Sequence, residues 1–222
     1  MIPAELAGSI PYFSGLPPDA IQALRQALFE KRVDRGEIVL LEGEPSGALF
    51  FVAEGVVKVF KTSPEGKEQI LAIVRPGDAF NDVPVFDGGV NPASAQAMGP
   101  ALLYGISRTN LMRIVAAQPQ LAANVIRTLA QRLRDMVALV EDLSFKPVIG
   151  RVAKILLQYA TDTSEPRPRL TQQDIAAMAG TAREVVGRSL KALEEDGIIR
   201  LEKHRVVITR RESLQQLAAE AV

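Results

Sequence analysis

Thr171-Gln172-Gln173-Asp174-Ile175-Ala176-Ala177-Met178-Ala179-Gly180-Thr181-Ala182-Arg183-Glu184-Val185-Val186-Gly187-Arg188 reads as two short helices joined by a tight turn. Thr171 is a helix-starting residue by type, with an acid three places on, and Thr181-Ala182-Arg183-Glu184 has the form of a capping box. Ile175, Ala176 and Ala179 give the first helix an apolar face, and Gly180 permits the turn. The second helix runs to Asp196 and stops at Gly197, a helix-ending residue by type. Its inner face is Ala182, Val186, Leu190 and Leu193; its outer face is Arg183, Glu184, Gly187, Arg188 and Lys191. Two such helices describe a helix-turn-helix.

The outer face carries groups suited to reading base edges. Arginine donates two parallel hydrogen bonds to guanine, and glutamate accepts from cytosine. Gly187 costs about 1 kcal/mol inside a helix, so a close approach is expected there. Downstream, Ile198-Ile199-Arg200-Leu201 and Arg205-Val206-Val207-Ile208 flank Glu202-Lys203-His204. This is the pattern of a hairpin wing whose tip offers Lys203 and Arg205 to phosphates. An amphipathic helix with a merely solvated charged face accounts for the same residues. What separates the two readings is the rest of the chain.

Upstream, Ala122, Ile126, Leu129, Leu133, Met136, Val140 and Leu143 follow at intervals of 4, 3, 4, 3, 4 and 3. A strict two-in-seven seam is narrower than the stripe of an ordinary core-facing helix, so residues 119–145 are expected to pair with the same helix of a second copy. Pro147 marks the break to a C-terminal domain at 146–222. Before the seam, residues 1–118 form a third region. Pro17-Pro18-Asp19 opens a helical stretch with Ile21, Leu24 and Leu28. From Val33 to Ile106, glycines at 36, 43, 55, 66 and 77 punctuate short runs of Val, Ile, Leu and Phe. That spacing predicts an antiparallel jelly roll. Residues 81–95 read as a long loop between strands, a common place for a binding site.

Composition narrows the function. The 222 residues include no cysteine and one histidine, His204. Disulfides, thiolate zinc sites and iron–sulfur clusters are excluded, and a cupin-like metalloenzyme on the roll lacks its histidines. No run approaches the ~18 apolar residues of a membrane span. Met1-Ile2-Pro3-Ala4-Glu5 lacks the basic start of a signal peptide, so a cytoplasmic protein is expected. The net charge of zero divides unevenly. Up to Phe145 there are 13 basic against 16 acidic residues, and beyond it 13 against 10. A basic C-terminal part is suited to a polyanion, although a difference this small is also compatible with scatter.

The glycine-punctuated roll, the seam helix and the run Thr171–Arg188 together resemble the cyclic-AMP receptor protein and fumarate–nitrate regulator (Crp/Fnr) superfamily, over nearly the whole chain. The resemblance implies an α+β protein with an effector-binding jelly roll like a cyclic-nucleotide-binding domain, a long dimerisation helix and a C-terminal winged helix. It implies a homodimeric transcription regulator, not an enzyme, with double-stranded DNA and RNA polymerase as partners. By position, Arg183, Glu184 and Arg188 match the base-reading residues of the cyclic-AMP receptor branch. Half-sites close to GTGA in an inverted repeat are therefore expected. Thr171 and Gln173 match phosphate contacts, which Lys191, Lys203 and Arg205 are expected to join.

The sensor departs from that branch. The family's Gly-Glu-Leu and Arg-Ser-Ala segments correspond here to Asn81-Asp82-Val83 and Ala93-Ser94-Ala95, with one extra residue between. Asp82 replaces the ribose-binding glutamate one methylene shorter. Ala93 stands where the phosphate-binding arginine would be. Met136 and Val137 take the places of two hydroxyl residues that contact adenine, and Arg132 is the nearby cation that would compensate. Cyclic AMP is therefore not expected as effector; haem is not expected either, since His204 lies in the wing and only Met, Tyr or a terminal group would be left to bind it, and no cofactor is assigned. A different small molecule in this pocket, no effector at all, and a helix-turn-helix that binds protein remain as alternatives.

Overall fold

The computed structural model describes residues 10–159, 170–202 and 205–220. Contacts divide the chain into two units. One draws on the chain up to Lys61 and on Ala72–Asp135, the other on Thr62–Leu71 and the chain from Met136 onward.

The first unit begins with a single 3-10 turn, Pro11–Phe13, and helix α1, Pro18–Ala27. Proline inside the first turn and Asp19 near its positive end start α1, and Ala20 and Leu24 are buried. Eight strands follow: β1 (Leu28–Val33), β2 (Ile38–Leu40), β3 (Ala48–Glu54), β4 (Val57–Thr62), β5 (Glu68–Val74), β6 (Ala79–Phe80), β7 (Ser94–Ala97) and β8 (Ala101–Ser107). They make two four-stranded sheets, ordered β1-β8-β3-β6 and β2-β7-β4-β5. The described pairings are antiparallel. One apolar cluster, with Val52, Val57, Phe80, Ala95 and Leu103, lies between strands of both sheets. A second gathers Tyr12, Phe51, Val85, Ile106, Leu111 and Leu121 from the strands and the helices that cover them.

The five predicted turn glycines all have positive φ, where only glycine sits without strain. At Gly55 the packing adds a second requirement, since a Cβ would fall 2.5 Å from the Pro100 carbonyl oxygen. Two expectations need correction. Leu28, expected in the helix, opens β1 opposite Ile106, because strand pairing overrides a local helical spacing. Residues 81–95 are not a plain loop. They contain helix α2, Asp82–Asp87, with Val85 fully buried, and Ser94 already belongs to β7. Helices α3 (Arg108–Ala117) and α4 (Pro119–Phe145) follow.

The second unit holds α5 (Val148–Tyr159), α6 (Gln172–Ala179), α7 (Arg183–Glu195), the hairpin β9 (Ile199–Glu202) and β10 (Arg205–Ile208), and α8 (Arg211–Ala219). Val152, Ile155, Leu156, Ile175, Val186, Leu190, Leu193 and Leu214 form its core. Burying each such side chain contributes about 1.5–3 kcal/mol. The hairpin register places Arg205 opposite Glu202, as the wing pattern requires. The C-terminal helix α8 was not read from the sequence. It packs on α5 through Leu214, and a Cβ at Gly150 would come within 2.8 Å of the Leu217 carbonyl.

A single arginine ties these helices together. Arg151 donates to the carbonyls of Ala179 at 2.7 Å and Lys146 at 2.6 Å, at the C-terminal ends of α6 and α4. Asp142 receives Lys146 at 3.0 Å and also Lys154. Partial burial pushes its carboxyl up, and the two lysine hydrogen bonds outweigh that and hold it below the ordinary range.

Candidate functional site

The first helix of the expected helix-turn-helix is well capped. Thr171 accepts from the Asp174 backbone at 3.1 Å while Asp174 accepts from the Thr171 backbone at 2.8 Å, a full capping box. The Thr171 hydroxyl also donates to the Asp174 carboxylate at 2.7 Å, so its proton is engaged within the chain. Gly180 ends α6 in the left-handed conformation at φ 62°. A Cβ there would lie 2.7 Å from Leu143 Cδ2 and 3.0 Å from Gln69 Oε1. Leu143, expected in the seam, therefore packs against this turn within its own chain.

The second expected capping box is absent. The N-cap of α7 is Ala182, which is exposed and offers no side-chain cap. Thr181 closes the preceding helix instead, donating its N–H to the Ala176 carbonyl at 3.0 Å. The turn occupies the residue that would have capped α7. Val186, Leu190 and Leu193 point inward as expected, and Arg183, Glu184, Arg188 and Lys191 are exposed. Lys191 pairs with Glu195 at 3.6 Å on the surface. At Gly187 a Cβ would meet only Gln172 Oε1 at 3.9 Å, an ordinary contact. The close approach expected there does not come from this chain's own packing. Gln173 is exposed on the first turn of α6. Lys203 lies outside the described residues, and of Arg205 only the backbone is described.

Along α4, Ile126, Leu133, Val137 and Val140 are 60–67% exposed and Met136 is 38% exposed. Leu129 instead packs against the first unit's core. Large apolar side chains at 3- and 4-residue spacing on one open face are, among the described residues, an unpartnered surface.

Of the residues expected to line a sensor pocket, Asn81, Asp82 and Arg132 are held in a polar knot at the start of α2. Asp82 is 3% exposed. Its carboxylate accepts from the Tyr12 hydroxyl on one oxygen and pairs with Arg132 on the other. Arg132 also donates to the Ala79 carbonyl. Asn81 has φ 74°, a conformation asparagine tolerates better than most residues, and its amide donates to Ser46 Oγ at 2.6 Å and to the Ala48 carbonyl at 2.9 Å. Ser94 Oγ accepts from the Glu42 N–H at 3.0 Å, Ala93 is buried, and Val83 is half exposed. Met136 and Val137 belong to the other unit.

Two residues of this region were missed in the sequence. Tyr12 lies 70 positions from Asp82, with no local pattern to link them. Lys61 follows Phe60, which pairs with Ser94, so it stands on the strand position opposite Ala93. Its ammonium is 3.3 Å from the Pro92 carbonyl and 2.5 Å from Glu42. No local pattern marked it, since Val57-Lys58-Val59-Phe60-Lys61 breaks strict alternation at Phe60 and Lys58 is itself buried. A shallow, open cavity of about 290 Å³ beside Arg32, Asp34, Glu54 and Pro100 involves none of these groups.

Burial pushes the Tyr12 hydroxyl up to about 12, with the Arg132 charge acting the other way. An unfolded tyrosine ionises near pH 10. The folded chain therefore keeps a proton that the unfolded chain has lost. This contribution is complete below about pH 10 and declines by ~2–3 kcal/mol as the pH rises to about 12. Chemical denaturation across that window should show a steeper alkaline loss for the native chain than for Tyr12→Phe. Parallel curves would mean that Tyr12 is not held as described.

Among the described residues, no helix is long and apolar enough to cross a membrane. Residues 30–118 match the cyclic nucleotide-binding domain family, and residues 150–217 match the Crp-like helix-turn-helix domain family. A Mycobacterium tuberculosis protein described as a CRP-like cAMP-activated global transcriptional regulator is 35% identical over 221 residues, covering 96% of this chain and 99% of its own. The cyclic AMP receptor protein of Thermus thermophilus is 33% identical over 209 residues, covering 94% and 96%. Among solved structures, FixK2 from Bradyrhizobium japonicum superposes with a TM-score of 0.77 at 25% identity, covering 88% of this chain and 99% of that one.

Proposed function

The chain belongs to the Crp/Fnr superfamily of transcription regulators, and on that premise we propose that it is a homodimer that reads an inverted repeat in DNA under a sensor that does not answer to cyclic AMP. The observation that carries the DNA part is the outward face of α7. Arg183, Glu184 and Arg188 stand exposed above a packed inner face, with no large apolar side chain among them. Arg183 and Arg188 are assigned to guanines and Glu184 to cytosine, in half-sites close to GTGA. Gln173, Lys191, Lys203 and Arg205 are assigned to phosphates, with the Thr171 turn positioning the first helix. Contact with RNA polymerase is carried over from the resemblance.

The dimer reading rests on the open apolar strip of α4. Two copies related by a two-fold axis would bury Ile126, Leu133, Val137 and Val140 against one another. Recognition helices so related enter successive major grooves about 34 Å apart.

One relative is named as cyclic-AMP-activated and another as a cyclic AMP receptor, and that property is not carried over. A cyclic nucleotide brings a phosphate charge that must meet a cation when buried, at a cost of several kcal/mol otherwise. Ala93 has none, Arg132 is engaged by Asp82 and Ala79, and Lys61 is engaged by Glu42. Calorimetry with cyclic AMP should give no binding tighter than ~1 mM. A micromolar dissociation constant would overturn this part of the reading. Because Asp82 is already satisfied from within, a regulator that needs no effector is the second reading. DNA selection with and without cell metabolites separates it from one that takes another small molecule.

A further inference from the structure

We infer that Tyr12 closes a polar clamp that fixes how far α4 is rotated about its own axis, and so which strip of the helix meets a second copy of the chain. The inference rests on the dimer reading above.

The clamp has two ends, eight residues apart on α4. At one end, Asn124 is 1% exposed and fully engaged. Its amide donates to the backbone carbonyls of Tyr12 at 3.0 Å and Ser14 at 2.7 Å, and its oxygen accepts from Gln120 and Arg127, each at 3.0 Å. At the other end, Arg132 holds the Asp82 carboxylate. Tyr12 joins the two. Its carbonyl is held by Asn124, its ring lies edge-on to Phe51, and its hydroxyl donates to Asp82. The circuit runs from α4 through Tyr12 and the first turn of α2 back to α4.

Apolar contact alone is non-directional and lets a helix roll by a fraction of a turn. Hydrogen bonds and a guanidinium–carboxylate pair are directional, and buried ones tolerate little misalignment. At about 100° per residue, Asn124, Thr128 and Arg132 fall within roughly 80° of one another. Ile126, Leu133, Val137 and Val140 fall about 160–220° from Asn124. The clamped sector and the open strip thus occupy different sides of one cylinder, and fixing the first aims the second. The long reach from Tyr12 to Asp82, across 70 residues, is what ties the aim of the helix to the roll rather than to the helix's own sequence.

The chain has no cysteine, so single cysteines can report this aim directly. Leu133→Cys lies on the strip and Arg134→Cys one residue, about 100°, away from it. Under mild oxidation the native background should cross-link at position 133 at least about tenfold faster than at 134. Tyr12→Phe, which keeps the ring and removes the hydroxyl, should lower that ratio by roughly threefold or more. The paired change Asp82→Asn with Arg132→Gln, which strands no buried charge, should do the same. Helix content and sedimentation should stay those of the native dimer. A dimer whose ratio is unchanged in both backgrounds overturns the clamp alone. A native protein that sediments as a monomer overturns the dimer reading, and the clamp with it.

Discussion

Leu133→Asp should convert the protein into folded monomers. In the single chain Leu133 is 66% exposed, so an aspartate there remains solvated and stability should change by no more than about 0.5 kcal/mol. In the pair, the two carboxylates would face each other across the seam, removed from water and without a cation. Burying such charges unpaired costs several kcal/mol, enough to weaken dimerisation by roughly a thousandfold or more. Affinity for an inverted repeat should fall with it, since each monomer then holds one half-site. Sedimentation gives the association state and thermal melting gives the fold. An unaltered dimer would remove α4 as the interface, and an unfolded chain would mean that Leu133 has a packing role its exposure does not reveal.

The second large effect belongs to Arg132→Ala. Asp82 is buried, and among the described residues truncating its partner leaves the carboxylate with one hydrogen bond from Tyr12 and no counter-charge. Breaking a buried pair from one side typically costs about 3–5 kcal/mol. The Arg132 side chain is 35% exposed, so some water reaches the site and the lower end of that range is expected. Urea denaturation should show the loss, and adding Asp82→Asn should recover most of it by removing the stranded charge. A single substitution without effect would mean that the pair is not formed.

Much of this architecture is visible in local sequence because local chemistry decides it. A left-handed turn position accepts little besides glycine, so the roll's turns could be read one by one. The helical period of α4 could be read because it is the geometry of the helix itself, but of the expected seam Leu129 and Leu143 pack within their own chain, and Val137 stands on the open strip instead. The failures arise where a partner outside the residue's own local pattern decides. Leu28 has a helical spacing behind it, yet Ile106 draws it into a strand. Thr181 looks like a helix start, yet the preceding helix uses its N–H. The six-residue α2 is too short to show a period, and its place is set by the burial of Val85. In the sensor, Asp82 and Arg132 were both singled out, but as ligand contacts. Their partnership with each other and with Tyr12 depends on three segments that meet only in the fold. Lys61 was hidden for the same reason, since its relation to Ala93 exists only in the register of two strands.

The central claim is that α7 reads bases, and one comparison tests it most directly. Duplexes are first selected from a random pool by the native protein. Binding of Arg183→Ala and Lys191→Ala is then measured on the selected site and on unrelated duplex over a range of salt. Arg183→Ala should lose about 1–3 kcal/mol on the selected site, relax preference at one guanine, and change little on unrelated DNA. Lys191→Ala should weaken both duplexes alike and make the salt slope shallower by about one unit. Equal losses on both duplexes for Arg183→Ala would contradict the account, because a helix that reads bases cannot lose the same energy where there is nothing to read.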